Sequence, residues 1–295
     1  MPHIAVLGSA NLDFVVTQPR LAKPGETIFG HDFVTVPGGK GLNQAVAAAR
    51  AGGDVTFLGA VGADDAGRVL RECLAGEGID LAGLLEVPGP TGTAHIAVVD
   101  DGENSIVVVP GANAAVTELD DTTRSHIAGA AALVLQLERP LELVAEALAF
   151  ARASGVRTVL TPAPARPLTA ELLALVDILV PNAGEACELA GVGDELAAAR
   201  ALSLQAATVI MTRGEHGSVI ARAGEIVAEV PARKVTPVDT TAAGDTFVGA
   251  LVARLVAGDE LEDAVGTATV AASIAVTRPG ATSSIPTWDE VAAAL

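Results

Sequence analysis

Several short segments of the chain hold residues whose types and spacing could do chemistry. In Val238-Asp239-Thr240-Thr241-Ala242-Ala243-Gly244-Asp245-Thr246-Phe247, small residues lead into an apolar helical stretch, Phe247 to Val256, ended by Gly258. Ala242, Ala243 and Gly244 carry little or no side chain, so their N–H groups can close around an anion at a helix start. Asp245 then stands in the first turn beside that anion. It is placed to take a proton from an attacking hydroxyl while the amides hold a phosphoryl group. A plainer role fits the same residues, with Asp239 as an N-terminal cap and Asp245 complementing the helix dipole.

A second segment, Pro37-Gly38-Gly39-Lys40-Gly41-Leu42-Asn43-Gln44, opens another helix. Its glycines permit close approach of backbone to a ligand, and Asn43 offers a donor and an acceptor to a polyol hydroxyl. It lacks the spacing of a P-loop, and no GxGxxG occurs anywhere, which disfavours a dinucleotide-binding oxidoreductase. In Ser9-Ala10-Asn11-Leu12-Asp13, Asn11 and Asp13 point the same way from an extended chain and suit vicinal hydroxyls. Glu138 ends an apolar strand. Asn182 and Glu185 sit three apart after another strand, spaced equally well for a capping box or for a ligand. Met211-Thr212-Arg213-Gly214-Glu215-His216-Gly217 forms a glycine-bounded loop.

These segments need elements to position them, and the hydrophobic pattern supplies those. Strands are expected at 3–7, 55–60, 131–137, 157–160, 176–180 and 208–211, with helices at 40–50, 64–75, 141–153, 183–190 and 194–204. This βαβ rhythm predicts an α/β fold, a doubly wound, mostly parallel sheet flanked by helices. Two regions break the rhythm: 14–18 with 27–36, and 93–99 with 105–109, the latter joined by the polar stretch 100–104. They predict a small β-sheet lid, drawn from about 13–36 and 92–110, over the carboxyl ends of the main strands. An antiparallel pair is expected at 217–221 and 225–230. No linker divides the chain, so 1–295 reads as one domain.

The chain has 295 residues, with 18 basic against 36 acidic side chains, a net charge of −18, and 2% aromatics with no tyrosine. That balance argues against nucleic acid and anionic membranes as partners, because phosphate-backbone binding depends on Lys and Arg. Backbone amides can still hold a small anion locally. Cys73 and Cys187 match no metal or haem spacing and are expected to be buried and reduced. The N-terminus does not read as a signal peptide, and the uncharged run Ala264 to Thr277 is short of a membrane span. The expectation is a soluble, cytoplasmic protein.

Taken as an ordered set, Asn11-x-Asp13, Gly38-Gly39-Lys40-Gly41-x-Asn43, Pro181-Asn182-x-x-Glu185, Thr212-x-Gly214 and Asp239 through Phe247 resemble the ribokinase family of sugar kinases. Leu135-Gln136-Leu137-Glu138, Pro162-Ala163-Pro164-Ala165-Arg166 and Arg278-Pro279-Gly280-Ala281 extend the resemblance over essentially the whole chain. It implies ATP-dependent phosphorylation of D-ribose at O5, or of a related small sugar such as 2-deoxyribose or fructose. A sugar-binding protein without catalysis is the alternative from another class. By the resemblance, Asp245 is the general base, with Ala242, Ala243 and Gly244 as the anion hole. Asn11, Asp13, Gly38, Gly39, Lys40, Asn43 and Glu138 bind the sugar. Asn182, Thr212, Arg213, Gly214, Gly217, Gly244 and Thr269 surround ATP, and Glu185 helps to organise Mg²⁺. Asp239, Thr241, Ala275, Arg278, Gly280 and Ser284 form a K⁺ site, several through backbone carbonyls. The lid strands pair two subunits into a homodimer. The chain departs from the family pattern at Leu42, commonly Ala; at Arg213, commonly apolar; and at Thr269, where a His often sits near adenine.

Overall fold

The structure, a computed structural model, describes residues 2–295 except Gly102, so that residue of the polar 100–104 stretch lies outside the described residues. In chain order the elements are β1 (Ile4–Leu7), β2 (Asn11–Gln18), β3 (Asp32–Gly38), α1 (Lys40–Arg50), β4 (Val55–Gly62), α2 (Asp65–Gly76), β5 (Leu84–Val87), β6 (Gly92–Val99) and β7 (Asn104–Val109). There follow α3 (Ala112–Ala115), α4 (Asp121–Gly129), β8 (Ala132–Leu135), α5 (Leu141–Ala153), β9 (Arg157–Leu160), α6 (Ala170–Leu173), β10 (Ile178–Leu179), α7 (Ala183–Ala190) and α8 (Glu195–Leu202). The chain closes with β11 (Thr208–Thr212), β12 (Ser218–Arg222), β13 (Glu225–Val230), α9 (Ala243–Ala257), α10 (Leu261–Ala275) and α11 (Trp288–Ala292).

The main sheet has the order β13-β12-β11-β10-β9-β8-β1-β4-β5, parallel from β10–β11 across to β4–β5 and antiparallel at β11–β12–β13. Parallel strands covered on both faces must be apolar at every position. β1 shows how this works: Ile4 and Val6 enter one core while Ala5 and Leu7 enter the other, and all four are buried. Residues of α1, α9 and α10 fill the first core, and those of α5 and α8 the second. The chain leaves β1 for β4 on one side and takes up β8 on the other. Such a reversal of strand order opens a crevice at the carboxyl ends of the strands.

A separate sheet, β3-β2-β6-β7, stands beside that crevice. Asn11 pairs with Gly38 and Gly92 at its inner end, directly after β1. Both expected sheets are therefore present, with some boundaries moved. β3 starts at Asp32 rather than Thr27, because the Lys23–Glu26 turn and the Arg20–Glu26 ion pair hold the preceding chain in a loop that leaves Phe29 exposed. The uncharged run near the C-terminus belongs to α10, which packs on α9. β5 was not expected; its four residues leave only Leu84 buried, too little to make a pattern. Cys73 and Cys187 are unpaired and half-buried, at the margins of the two cores rather than inside them. Among the described residues no helix is long and apolar enough to cross a membrane.

Candidate active site

The centre of the site is Asp245, in the first turn of α9 and only 8% exposed. α9 begins at Ala243, earlier than its apolar stretch, and no side chain caps it. Its first amides therefore lack intrahelical acceptors and face outward, apart from Ala243, whose N–H donates to the Thr240 carbonyl at 3.2 Å. Ala242 adopts φ 58°, a left-handed conformation that turns the chain sharply into the helix.

α1 lies alongside. A Cβ on Gly249 would come within 2.5 Å of the Ala47 Cβ and 2.6 Å of the Gln44 carbonyl oxygen, so only glycine lets α9 approach α1 this closely. One turn earlier on each helix, that approach delivers two donors to Asp245. Asn43 Nδ2 donates to Oδ2 at 3.1 Å and Gln44 Nε2 to Oδ1 at 2.9 Å. Burial pushes the Asp245 carboxyl above its usual range and Glu138 adds to the rise; Lys40, Gln44 and Asn43 oppose it. Burial likewise tends to discharge Lys40, but the carboxylates of Asp245, Glu138 and Glu185 outweigh it and hold the ammonium.

Glu138 reaches in from beyond β8. It accepts from the Lys40 backbone N–H at 3.0 Å and from the Ser9 hydroxyl, so a carboxylate from a segment distant in the chain caps α1. Asp13, 8% exposed on β2, has its carboxyl pushed up to about 7 by burial and by Glu138. Two buried acceptors on this side, Asp13 Oδ1 and Asn43 Oδ1, have no partner in the protein. An unpaired buried acceptor costs ~1–3 kcal/mol, which a ligand hydroxyl would relieve. Asn11 is buried and accepts from Asn113 Nδ2 at 2.8 Å. Asn113 also clasps the Ala10 backbone, a role that sequence reasoning missed because about a hundred residues separate the two.

Asp245 lines one cleft of about 190 Å³ with Lys40, Asn182, Glu185, Thr212, Ala242 and Gly244, together with Thr161, Ala163, Val180, Thr240 and Val248. Asn182 and Glu185 do form a capping box on α7, yet both also face the cleft. The two readings of this pair are compatible. Thr212 bridges to Asn182 and donates its N–H to Pro181 O at 3.0 Å. The loop from Gly214 to Gly217 is a 3-10 turn closed by the Arg213 N–H to Gly217 O bond of 2.7 Å. The Arg213 guanidinium turns to Glu195, donating from Nε at 2.7 Å, and Thr269 back-bonds to Val265 O on α10. Neither side chain is part of the cleft lining.

The expected K⁺ residues gather behind α9. Asp239 accepts from the Thr241 and Gly280 N–H groups, each at 2.8 Å, which joins the 239–241 loop to the 278–284 loop and holds its carboxyl below the usual range despite burial. Ser284 and Ala275 are fully buried, whereas Arg278 pairs outward with Glu290. Among the described residues no three His, Cys, Asp or Glu side chains cluster as a metal-ligand set.

Comparison with known proteins agrees with this geometry. The pfkB family carbohydrate kinase description matches residues 1–288. The chain belongs to the pfkB family of carbohydrate kinases. It is therefore a phosphotransferase with an alcohol acceptor. It is similar to the ribokinase of Haemophilus influenzae, with 42% identity covering 97% of this chain and 96% of that protein. It is also similar to the ribokinase of Bacillus subtilis, with 40% identity covering 99% and 98%. The structure of Arabidopsis thaliana ribokinase complexed with ribose and ATP superposes with a TM-score of 0.92 at 33% identity, covering 99% of this chain and 98% of that one.

Proposed function

We propose that this pfkB kinase transfers the γ-phosphoryl group of ATP to the O5 hydroxyl of D-ribose, giving ribose 5-phosphate. The observation that carries the reading is the buried Asp245 carboxylate at the uncapped start of α9, with the unpartnered acceptors of Asp13 and Asn43 beside it. Sugar hydroxyls would donate to Asp13 Oδ1 and Asn43 Oδ1, with Asn11, Gly39 and the second oxygen of Glu138 completing the pocket. The phosphate chain would lie along Asn182, Thr212 and Lys40, ending at the amides of 243–245. Asp245 orients the attacking hydroxyl in line with the phosphorus and takes its proton as the O–P bond forms and ADP leaves. General-base catalysis supplies ~10²–10⁴-fold, and positioning with electrostatics the rest.

Mg²⁺ is commonly held by one or two carboxylates together with phosphates and waters. Glu185 fits: it lines the cleft, and burial holds its carboxyl above the usual range, a cost that a cation relieves. The metal would neutralise phosphate charge. The Asp239–Gly280 junction fits a K⁺ ion held by loop carbonyls, which would steady the α9 start.

The small sheet leaves Val34, Ile106 and Val108 exposed on one face and Phe33, Val107 and Val109 on the other, and this apolar surface supports a homodimer in which a second copy covers part of it. Analytical ultracentrifugation of wild type against Val107→Lys tests that assignment. ATP consumption and unpaired cysteines support a cytoplasmic location.

A coupled ADP-release assay over ribose, 2-deoxyribose and fructose tests the substrate. The greatest kcat/KM should fall on ribose; a tenfold preference for another sugar reassigns it, and no turnover with any sugar leaves a binding protein. Asp245→Asn should fold and bind ribose but lose turnover; activity within threefold of wild type removes the base assignment.

A further inference from the structure

We propose that Gln44 is a positioning residue for Asp245, and that Gln136 acts through Gln44 by fixing which way its amide faces. This rests on the reading of Asp245 as the base. Both glutamines are completely enclosed, at 0% and 1% exposure. Gln136 Nε2 donates to Gln44 Oε1 at 2.6 Å. With its oxygen thus engaged, Gln44 must present Nε2 to the other side, where it meets Asp245 Oδ1 at 2.9 Å and Thr161 Oγ1 at 3.3 Å. Were the amide turned over, its oxygen would face a carboxylate oxygen, acceptor against acceptor. The chain of bonds therefore has one allowed direction while Asp245 is ionised.

The arrangement is not explained by stability. Gln136 Oε1 is buried with no partner, so the pair keeps an unsatisfied acceptor in the interior. A polar chain kept at that cost, and aimed at the reacting carboxylate, points to function. Its effect on Asp245 is geometric. Oδ1 accepts from Gln44 and Oδ2 from Asn43, the residue whose own oxygen is unpartnered on the sugar side. The proton is taken at Oδ2, the oxygen on the side of Asn43 and its unpartnered acceptor. Two donors from successive residues of α1 fix the carboxylate plane. Both also favour its charged form, alongside Lys40 of α1 and against Glu138 beyond β8 and Glu185 of α7.

Four variants test the proposal: Gln44→Met, Gln136→Leu, their combination, and Asp245→Asn. Each is followed by ribose kcat and KM, by the pH dependence of kcat and by thermal midpoint. Gln44→Met should lower kcat at pH 7 roughly 10- to 100-fold with ribose KM within threefold, the loss of one donor to a charged group. It should also move the acid limb of the profile upward by about one pH unit, because a lost donor disfavours the carboxylate. Gln136→Leu should move the limb in the same direction by less. The double variant should be no worse than Gln44→Met, because one residue works through the other. An unmoved acid limb in either single variant, or multiplicative losses in the double, overturns the proposal. If Gln44→Met does not fold, the Gln136→Leu profile decides alone. If Asp245→Asn is inactive while Gln44→Met resembles wild type, the positioning role fails and the base survives; an active Asp245→Asn removes both.

Discussion

Replacing Gly38 by alanine probes the sugar side of the site with a single methyl group. A Cβ built on Gly38 would stand 2.5 Å from Asp13 Cγ and 2.8 Å from Oδ1, and closer still to Oδ2. Carbon contacts settle near ~3.5 Å, so the carboxylate must retreat by about 1 Å. All three atoms of the group are hit, so turning it about its terminal torsion gives no relief; the side chain has to leave its rotamer. Gly38 has no positive φ, so the backbone itself accepts alanine. The damage therefore falls on the position of Asp13 Oδ1, the unpartnered acceptor assigned to a ribose hydroxyl. Misplacing a binding group by ~1 Å costs on the order of 100-fold, or ~2.7 kcal/mol, in kcat/KM. The assay is ADP release at varied ribose, with calorimetric titration of ribose alongside it. Gly76→Ala serves as control, since a Cβ there, at the end of α2, meets nothing within 4 Å. A ribose KM within threefold of wild type, with calorimetric affinity unchanged, would refute the assignment of Asp13.

Asp13→Asn should stabilise the sugar-free protein at pH 8 while weakening ribose binding. The folded carboxyl titrates at about 7 against an ordinary 3.8, so the native state binds the extra proton and stability falls as pH rises through that window. Three units are worth at most ~4 kcal/mol, fully present above pH 7 and gone below pH 4. Equal gains in thermal midpoint at pH 5 and pH 8 count against it. Ala242→Gly should relieve the left-handed alanine, worth ~1–2 kcal/mol, against ~0.5–1 kcal/mol of glycine entropy. The expected result is a thermal midpoint about 1–2 °C higher with turnover retained; a lower midpoint contradicts it. Rates in K⁺ buffer should exceed those in Na⁺ buffer, and Asp239→Asn should erase the difference; equal wild-type rates remove the cation site.

Elements with a strong local pattern are legible in the sequence. The bounds of α1, α5, α7 and β9 match their expected spans residue for residue, because each carries its own cap, glycine stop or apolar period. Elements whose burial is one-sided or short are not: β5, α3 and α6 each offer four residues, too few for any period to emerge. The candidate site divides in the same way. Asp245, Asn43, Asp13 and Glu138 stood out by type and context. Asn113 and Gln136 did not, since each acts by touching a segment about ninety or more residues away.

The order of residues along the chain determined the alternation of strand and helix, the small sheet apart from it, and the run of small residues 242–244 leading to Asp245. Each of these is a matter of neighbours within a few positions. Only the folded molecule decided how the two helix starts meet. Gly249 against Ala47 brings α9 onto α1, and that contact sets both amides on Asp245 and gives the carboxylate its environment. Burial and partners are properties of the space around a group, and spacing along the chain does not carry them.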